Sequence, residues 1–576
     1  MNSCNRWSRG TGRLGRIVVG ALTAALVAGC GDSESGEPEA EQLSGVLITL
    51  DTTKAGALDF YGKDRDITPK LSELALRSVV FERAHTVAPL TLPSHTSMLT
   101  GLYPLRHGVR ENGIMSLSRE ADTLAERARE AGLETAAFVA SAVLLSPYGL
   151  DQGFDLYDEP VRESGGDSWI PEHPSTVVTD RALAWLRERE ASRPFFLWVH
   201  YFDPHMPYSA PAEFVERAGG HQYRGEVAAM DHDVGRLLDG LEREVGFERM
   251  TLAVVADHGE AFYAHGEPTH SAFIYESTMH VPFMIRFADE RRAGTRSREI
   301  VSVVDLFPTF LEELGLGGAG DVDGRSLASG TIPDDRGVYL ESYSGFLSYG
   351  WSPLSGWLDA GGKYLHSSEP EFYDLDSDPK EEQDLLVRGD VDPEPYRRAI
   401  AELSRLPRLP VGGDVDLDPA QIAQLNALGY AAAGREASEL PDPLDPSDRP
   451  APASQTEIYG KSIFALGLAA GGEYHQAIPL LAQVVAVNPR DLNAQAAFGT
   501  SLVKVGRFEE ALVPLEAARS LGDDTPWTHL SLAIAFQRLG QPERSLTHYR
   551  RVQQLSPGQT GVAEAIAELE ALTGDE

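Results

Sequence analysis

Short, almost unbroken apolar runs recur along the first part of the chain: GVLITLD (45–51), TAAFVA (135–140), PFFLWVHYFD (194–203), MTLAVVADHG (250–259) and VPFMIRF (281–287). They are short and rich in β-branched and aromatic residues, which predicts strands. Between them lie segments of helical pattern such as TPKLSELALRSVVF (68–81). Strands that are apolar along their whole length are buried on both faces, so the pattern predicts a mostly parallel sheet flanked by helices, an α/β domain. From about 335 to 388 the runs become shorter and more strand-like, closing with EFYDLDSDPKEEQDLL. DPLDPSDRPAPAS (442–454), rich in Pro, Asp and Ser, reads as a linker and the domain boundary. Beyond it Gly472, Gly506 and Gly540 recur every 34 residues, each followed five positions later by Ala477, Ala511 or Ser545 and then by Ile478, Leu512 or Leu546.

A 34-residue period of this kind resembles the tetratricopeptide repeat, which implies an all-α domain of helix–turn–helix units. The glycine would end the first helix of each pair, and the small residue would let paired helices approach. Three units are about the minimum for a self-supporting stack, and the role implied is docking of a protein partner rather than catalysis.

Composition narrows the partners. With 50 Lys and Arg against 87 Asp and Glu, the formal charge is −37. Binding a phosphate backbone needs clustered basic residues, so a nucleic-acid partner is excluded. At the N-terminus Arg6, Arg9, Arg13 and Arg16 precede the apolar run IVVGALTAALVAG (17–29). The run falls short of the roughly 20 residues a membrane-spanning helix needs and reads as a secretory signal. LVAGC (26–30) resembles the bacterial lipoprotein box, which implies a lipidated Cys30, attachment to a membrane and an exported, envelope-facing protein. The acidic GDSESGEPEAEQ (31–42) would be the tether. Of the two cysteines, Cys4 would leave with the signal and Cys30 would carry lipid, so the exported domain would be stabilised by its core and not by disulfides. The domains expected are a signal at 1–29, a tether at 30–44, the α/β domain at 45–432, a linker at 433–455 and the repeats at 456–576.

The candidate chemistry lies at the strand ends. Three of the apolar runs close on Asp51, Asp203 and Asp257-His258, and ligands of open α/β sheets bind beyond the carboxyl ends of strands. Asp51, Asp257 and His258 with Thr91 make two carboxylates, an imidazole and a hydroxyl, a set suited to zinc or manganese. A hydroxyl on such a metal has its pKa lowered and becomes a nucleophile near neutral pH.

The segments LITLDTTKAGALDFYG, TPKLSELA, PLTLPSHTSMLTGLYP, RPFFLWVHYFDPHMPY, VVADHGE, HVPFMIR, VSVVDLFPTFLEELGL with DGRSL, and FYDLDSDPKEEQDL together resemble the sulfatase family of the alkaline phosphatase superfamily over 45 to about 388. The resemblance implies a mixed sheet flanked by helices, an anionic ester as substrate, and calcium as the metal if the site is sulfatase-like. The departures bear on mechanism. Sulfatases carry Cys or Ser, oxidised to formylglycine, where this chain reads Thr91-Leu92-Pro93-Ser94-His95. Oxidising threonine gives a ketone and not an aldehyde. The motif arginine is His95, and the second acid after Asp51 is Thr52.

T-x-P-x-H followed by TGLYP-x-x-HG and Asn112 is closer to the nucleotide pyrophosphatase/phosphodiesterase relatives, which use an unmodified threonine. By that resemblance Thr91 attacks phosphorus and forms a phosphothreonine that water hydrolyses, and Asn112 holds a non-bridging oxygen. In the sulfatase pattern His205 contacts the substrate anion and His270 takes the place of a substrate-binding lysine. Alternatively Asp203, His205 and His270 bind a second metal. His200, inside a strand, reads as a core histidine. Lys54, His107 and His265 are each as consistent with the site as with a merely structural place. The expected function is a membrane-anchored, metal-dependent hydrolase of phosphate or sulfate esters, with one ion and a second as the alternative. Two other readings stay open: a phosphoryl-group transferase acting on lipid or glycan, and a degenerate enzyme acting as an adaptor through its repeats.

Overall fold

The computed structural model describes residues 42–573 apart from 63–65, 161–171, 331, 334, 414 and 416–439. The signal, Cys30 and nearly all of the tether lie outside the described residues, as do the end of the α/β segment and the start of the linker. No helix among the described residues is long and apolar enough to cross a membrane.

Eight strands form the main sheet: β1 (Ser44–Leu50), β2 (Val79–His85), β3 (Glu134–Phe138), β4 (Leu156–Asp158), β5 (Phe195–Tyr201), β6 (Met250–Ala256), β7 (Phe283–Arg286) and β8 (Thr295–Ser302). Their order is β4-β3-β5-β1-β6-β7-β2-β8. β7 runs antiparallel to both β6 and β2, and the other neighbours are parallel, so the sheet is mixed. β1, β5 and β6 are buried at every position, as their continuous apolar sequences require with helices on both faces. β1 begins at Ser44, one residue inside the segment read as tether.

The parallel register sets Leu50 beside both Tyr201 and Ala256. The three chains therefore leave the sheet at one edge, and Asp51 and Asp257, which follow β1 and β6 directly, emerge together. A second sheet, β9 (Val338–Ser342), β10 (Leu354–Asp359), β11 (Gly362–His366) and β12 (Glu371–Tyr373), is antiparallel in the order β12-β11-β10-β9. It is tied to the main sheet by Glu341 N–H on the carbonyl of Val87 (2.9 Å) and by buried Lys363 between Glu276 (2.9 Å) and Glu381 (2.8 Å).

Helices fill the C-terminal region, in pairs Thr456–Ala470 with Tyr474–Val487, Leu492–Lys504 with Phe508–Ser520, and Pro526–Arg538 with Pro542–Leu555, followed by Val562–Thr573. Gly472, Gly506 and Gly540 sit between the partners of each pair at φ 80°, 82° and 69°, the left-handed conformation that glycine adopts without a Cβ penalty. Ala477, Ala511 and Ser545 are fully buried. The first of these helices does not stand apart from the α/β region. Its Tyr459 joins the main core, with ring centroids 5.9 Å from Phe273, 5.1 Å from Tyr349 and 5.5 Å from Trp351. Asn488 Nδ2 also donates to the carbonyl of Tyr349 (2.9 Å).

Candidate active site

Asp51 follows β1 and Asp257 follows β6 directly, so adjacent parallel strands deliver both carboxylates to one spot. Asp51 Oδ1 and Asp257 Oδ2 are buried and have no hydrogen-bond partner. His258 Nδ1 donates to the carbonyl of Gly259 (3.0 Å), which leaves the Nε2 lone pair facing Asp51 Oδ1 at 3.7 Å and Asp257 Oδ2 at 3.5 Å. Three Lewis-basic atoms thus lie within 4.8 Å of one another in a fully buried place. Burial raises the pKa of both carboxyls. At Asp51 this is opposed by His205 and His258, and at Asp257 it is reinforced by the charge of Asp51. Two buried, mutually repelling carboxylates with an imidazole lone pair aimed at them are costly without a cation. Their oxygen and nitrogen donors fit a divalent metal.

Thr91 opens a helix, Thr91–Thr100, that is buried along its whole length. Extended backbone at Leu90 (φ −146°) turns the chain into it, so Thr91 faces the triad from the positive end of the helix. Its Oγ1 is 3.5 Å from Asp51 Oδ2 and 3.4 Å from His258 Nε2. Ser94 pins this turn by donating to the carbonyl of Asp257 (2.8 Å). His95 donates from Nδ1 to the carbonyl of Thr91 (2.8 Å) and lies 3.8 Å from Asp257 Oδ2; burial lowers its pKa to about 3. Asn112 Oδ1 accepts from Leu92 N–H (2.9 Å), while its Nδ2 is buried without a partner.

The remaining candidates sort by geometry. His205 and His270 stand together, ring centroids 5.3 Å apart, and His270 is 4.5 Å from His258. His205 Nδ1 is held by the carbonyl of Met206 (2.7 Å). Burial lowers the pKa of His205 to about 4 and drives that of His270 well down, so both are neutral near pH 7. Asp203 is placed elsewhere: its Oδ2 accepts from the backbone N–H (2.8 Å) and hydroxyl of Ser175, and it is not among the three residues that could share an ion. His107 bridges Ser97 Oγ (3.0 Å) and Val109 N–H (3.1 Å), and His265 meets the carbonyl of Lys380 (2.9 Å); both are fastenings of the scaffold.

Two residues had no site role in the sequence reading. His200, read as a core histidine, accepts Ala140 N–H at Nδ1 (3.2 Å), so its proton is on Nε2, 3.3 Å from Asp51 Oδ2. Its signal is the register Thr49↔His200, visible only once β1 and β5 are paired. Glu260, inside the DHGE motif, lies 3.6 Å from His270 Nδ1 and accepts from Tyr208 OH (3.2 Å).

Comparison with known proteins agrees with this fold. Residues 45–316 match the family described as Sulfatase. The chain is similar to an N-acetylglucosamine-6-O-sulfatase of Bacteroides thetaiotaomicron, 21% identical over 504 residues, covering 67% of this chain and 88% of that protein. It is similar to an arylsulfatase of Clostridium perfringens, 23% identical, covering 59% of this chain and 89% of that protein. Among solved structures, the phosphonate monoester hydrolase of Agrobacterium radiobacter aligns with a TM-score of 0.52 at 20% identity, covering 63% of this chain and 94% of that one. Residues 45–316 are therefore a domain of the Sulfatase family.

Proposed function

We propose that the protein is a metal-dependent hydrolase of phosphate or sulfate esters in which unmodified Thr91 is the nucleophile. The observation that carries this reading is Thr91 Oγ1 at nearly equal distance from Asp51 and His258, at the start of a buried helix and beside the unpartnered Nδ2 of Asn112. Asp51, Asp257 and His258 would hold the cation, which supplies positive charge that favours the ionised hydroxyl and the ester oxygens.

Thr91 Oγ1 loses its proton and bonds to phosphorus or sulfur as the bond to the ester oxygen breaks. Asn112 Nδ2 donates to a non-bridging oxygen whose charge grows in the transition state. His205 Nδ1 carries the ring proton and gives it to the carbonyl of Met206, so neutral Nε2 presents a lone pair. Nε2 would take the proton lost by Thr91 and pass it to the leaving oxygen, and later take one from the attacking water and return it to the released Thr91 oxygen. His270, steadied by Glu260, closes the other side of the anion. His95 and His200 orient the backbone of Thr91 and the carboxylate of Asp51.

The relatives named as sulfatases and the neighbour named as a phosphonate monoester hydrolase support both tetrahedral anions as substrates. The choice between them is tested by a panel of phosphomonoesters, phosphodiesters, phosphonate monoesters and sulfate esters, run on zinc- and manganese-loaded protein. Mass spectrometry of the acid-quenched reaction should find a phosphate or sulfate on Thr91. Turnover with Thr91 never modified would remove it as the nucleophile.

The helix pairs are read as tetratricopeptide repeats that dock a protein partner, on the strength of the 34-residue glycine period. The N-terminal sequence supports export and anchoring through lipidated Cys30. Signal-peptidase blockade should then leave a larger, unprocessed form.

A further inference from the structure

Beside the triad lies an aromatic shelf with a lysine at its rim. Phe262 is 42% exposed although large and apolar. It packs edge-on to Tyr223 (4.7 Å, 77°), and Tyr208 meets Tyr223 in the same way (5.5 Å, 75°). Lys54 Nζ sits 5.6 Å from the centre of the Phe262 ring.

The shelf is wired to the reacting centre on both sides. Tyr208 OH donates to Glu260, and Tyr223 OH accepts from Lys54 N–H (3.0 Å) and donates to the carbonyl of Thr52 (3.0 Å). Thr52 N–H in turn donates to Asp257 Oδ1 (3.2 Å). Phe262 and Tyr263 adopt φ 49° and 65°, a left-handed backbone that bulky residues rarely take, and it is this turn that carries the ring. In a chain with a large excess of acids, no carboxylate of the described residues stands within ion-pair distance of Lys54 Nζ; Glu260 is the charge that acts on it, and burial lowers its pKa.

We propose that Lys54, Tyr208, Tyr223 and Phe262 form the leaving-group subsite, and that it selects esters whose alcohol is a ring bearing a second negative charge. This rests on the hydrolase reading. The ester's own oxygens face Thr91 and Asn112, whereas Lys54 belongs to the shelf. A flat ring, aryl or sugar, gains contact area on the exposed face of Phe262. A substituent carboxylate, sulfate or phosphate on that ring meets an under-solvated ammonium.

The test is binding, by calorimetry on the metal-loaded full chain, of methyl-, phenyl- and 4-carboxyphenylphosphonate. Glucose 1-phosphate against glucuronate 1-phosphate serves as the sugar pair. Affinity should rise at each step of the phosphonate series, by about tenfold for the carboxyl group. Lys54→Met should abolish the carboxyl step and Phe262→Ala the phenyl step. The aryl and sugar pairs then report which ring the shelf takes. Equal weakening of all three phosphonates by Lys54→Met would show that Lys54 serves the ester anion itself and would overturn the proposal, as would a wild type that ranks methyl with 4-carboxyphenyl. The phosphonates hold no ester bond, so no turnover enters that series, and a phosphonate ranking that holds without hydrolysis of the sugar phosphates keeps the subsite and rejects the hydrolase reading.

Discussion

Leu92 N–H donates to Asn112 Oδ1 over 2.9 Å, across twenty residues of sequence. The bond satisfies one of the free amides at the start of the Thr91 helix. It also decides which end of the carboxamide is left over: with the oxygen engaged, Nδ2 is the end left buried and unpartnered. Asn112→Asp keeps the acceptor and loses the donor. We predict that kcat falls by about 100-fold or more while the unfolding midpoint stays near that of the wild type. Comparable kcat in the two proteins would remove Asn112 from the oxyanion contacts.

Thr91 tests the nucleophile directly. Thr91→Ala should lower turnover by at least about 1000-fold, and Thr91→Ser, which keeps an oxygen at the same place, should retain measurable activity. Steady-state kinetics on the most active substrate of the panel reads both. An alanine variant as fast as the wild type would refute the assignment.

Removal of the cation should cost stability as well as activity. Asp51 and Asp257 are both fully buried, and without a positive ion they repel each other. Chelation should therefore lower the unfolding midpoint, and zinc or manganese at about a hundred times its Kd should restore about 2.7 kcal/mol. Elemental analysis should find one ion per chain. A midpoint indifferent to chelator would count against the triad as a metal centre.

Glu111 supplies a pH signature behind the site. Its carboxylate accepts from Ser344 Oγ (2.6 Å) and Asn112 N–H (3.1 Å), and burial pushes its pKa up to about 7 from the ordinary 4.5. A raised carboxyl stabilises the fold fully below pH 4.5, and that contribution is lost as pH climbs through 7. The loss across this window is about 3 kcal/mol. Glu111→Gln can satisfy both partners without titrating. Urea midpoints measured from pH 4.5 to 8 should therefore fall more steeply for the wild type than for the variant; parallel profiles would show that Glu111 does not titrate in this range.

Tyr459 joins the first C-terminal helix to the core of the α/β region. Tyr459→Ala should destabilise the protein by about 3 kcal/mol, the scale of removing a large buried aromatic. It should also expose the segment before Thr456 to protease. An unchanged urea midpoint with unchanged digestion would show that the contact carries no load.

Much of the fold was legible in local pattern. The continuous apolar runs became β1, β3, β5, β6 and β7. The 34-residue glycines became left-handed breaks between helices. Both are short-range effects, in which the residue itself and its near neighbours set the backbone. Asp51, Thr91, Asp257 and His258 were also legible, because strand-end acids and a helix-opening hydroxyl keep their meaning before the strands are assembled. Asp203 ends a strand in the same way, yet Ser175 engages it, and nothing in the strand-end pattern distinguishes it from the other two.

The sequence by itself determined the strand-end acids, the repeat period and the hydroxyl side chain at position 91. Only the tertiary structure decided that His200 backs Asp51 while His107 and His265 do not reach the site, that Glu260 meets His270, and that Tyr459 docks the helices on the core. The reason is range. Backbone preference and apolar period act over a few residues, whereas the sharing of one cavity by two side chains is set by register between strands and by loop paths far apart along the chain.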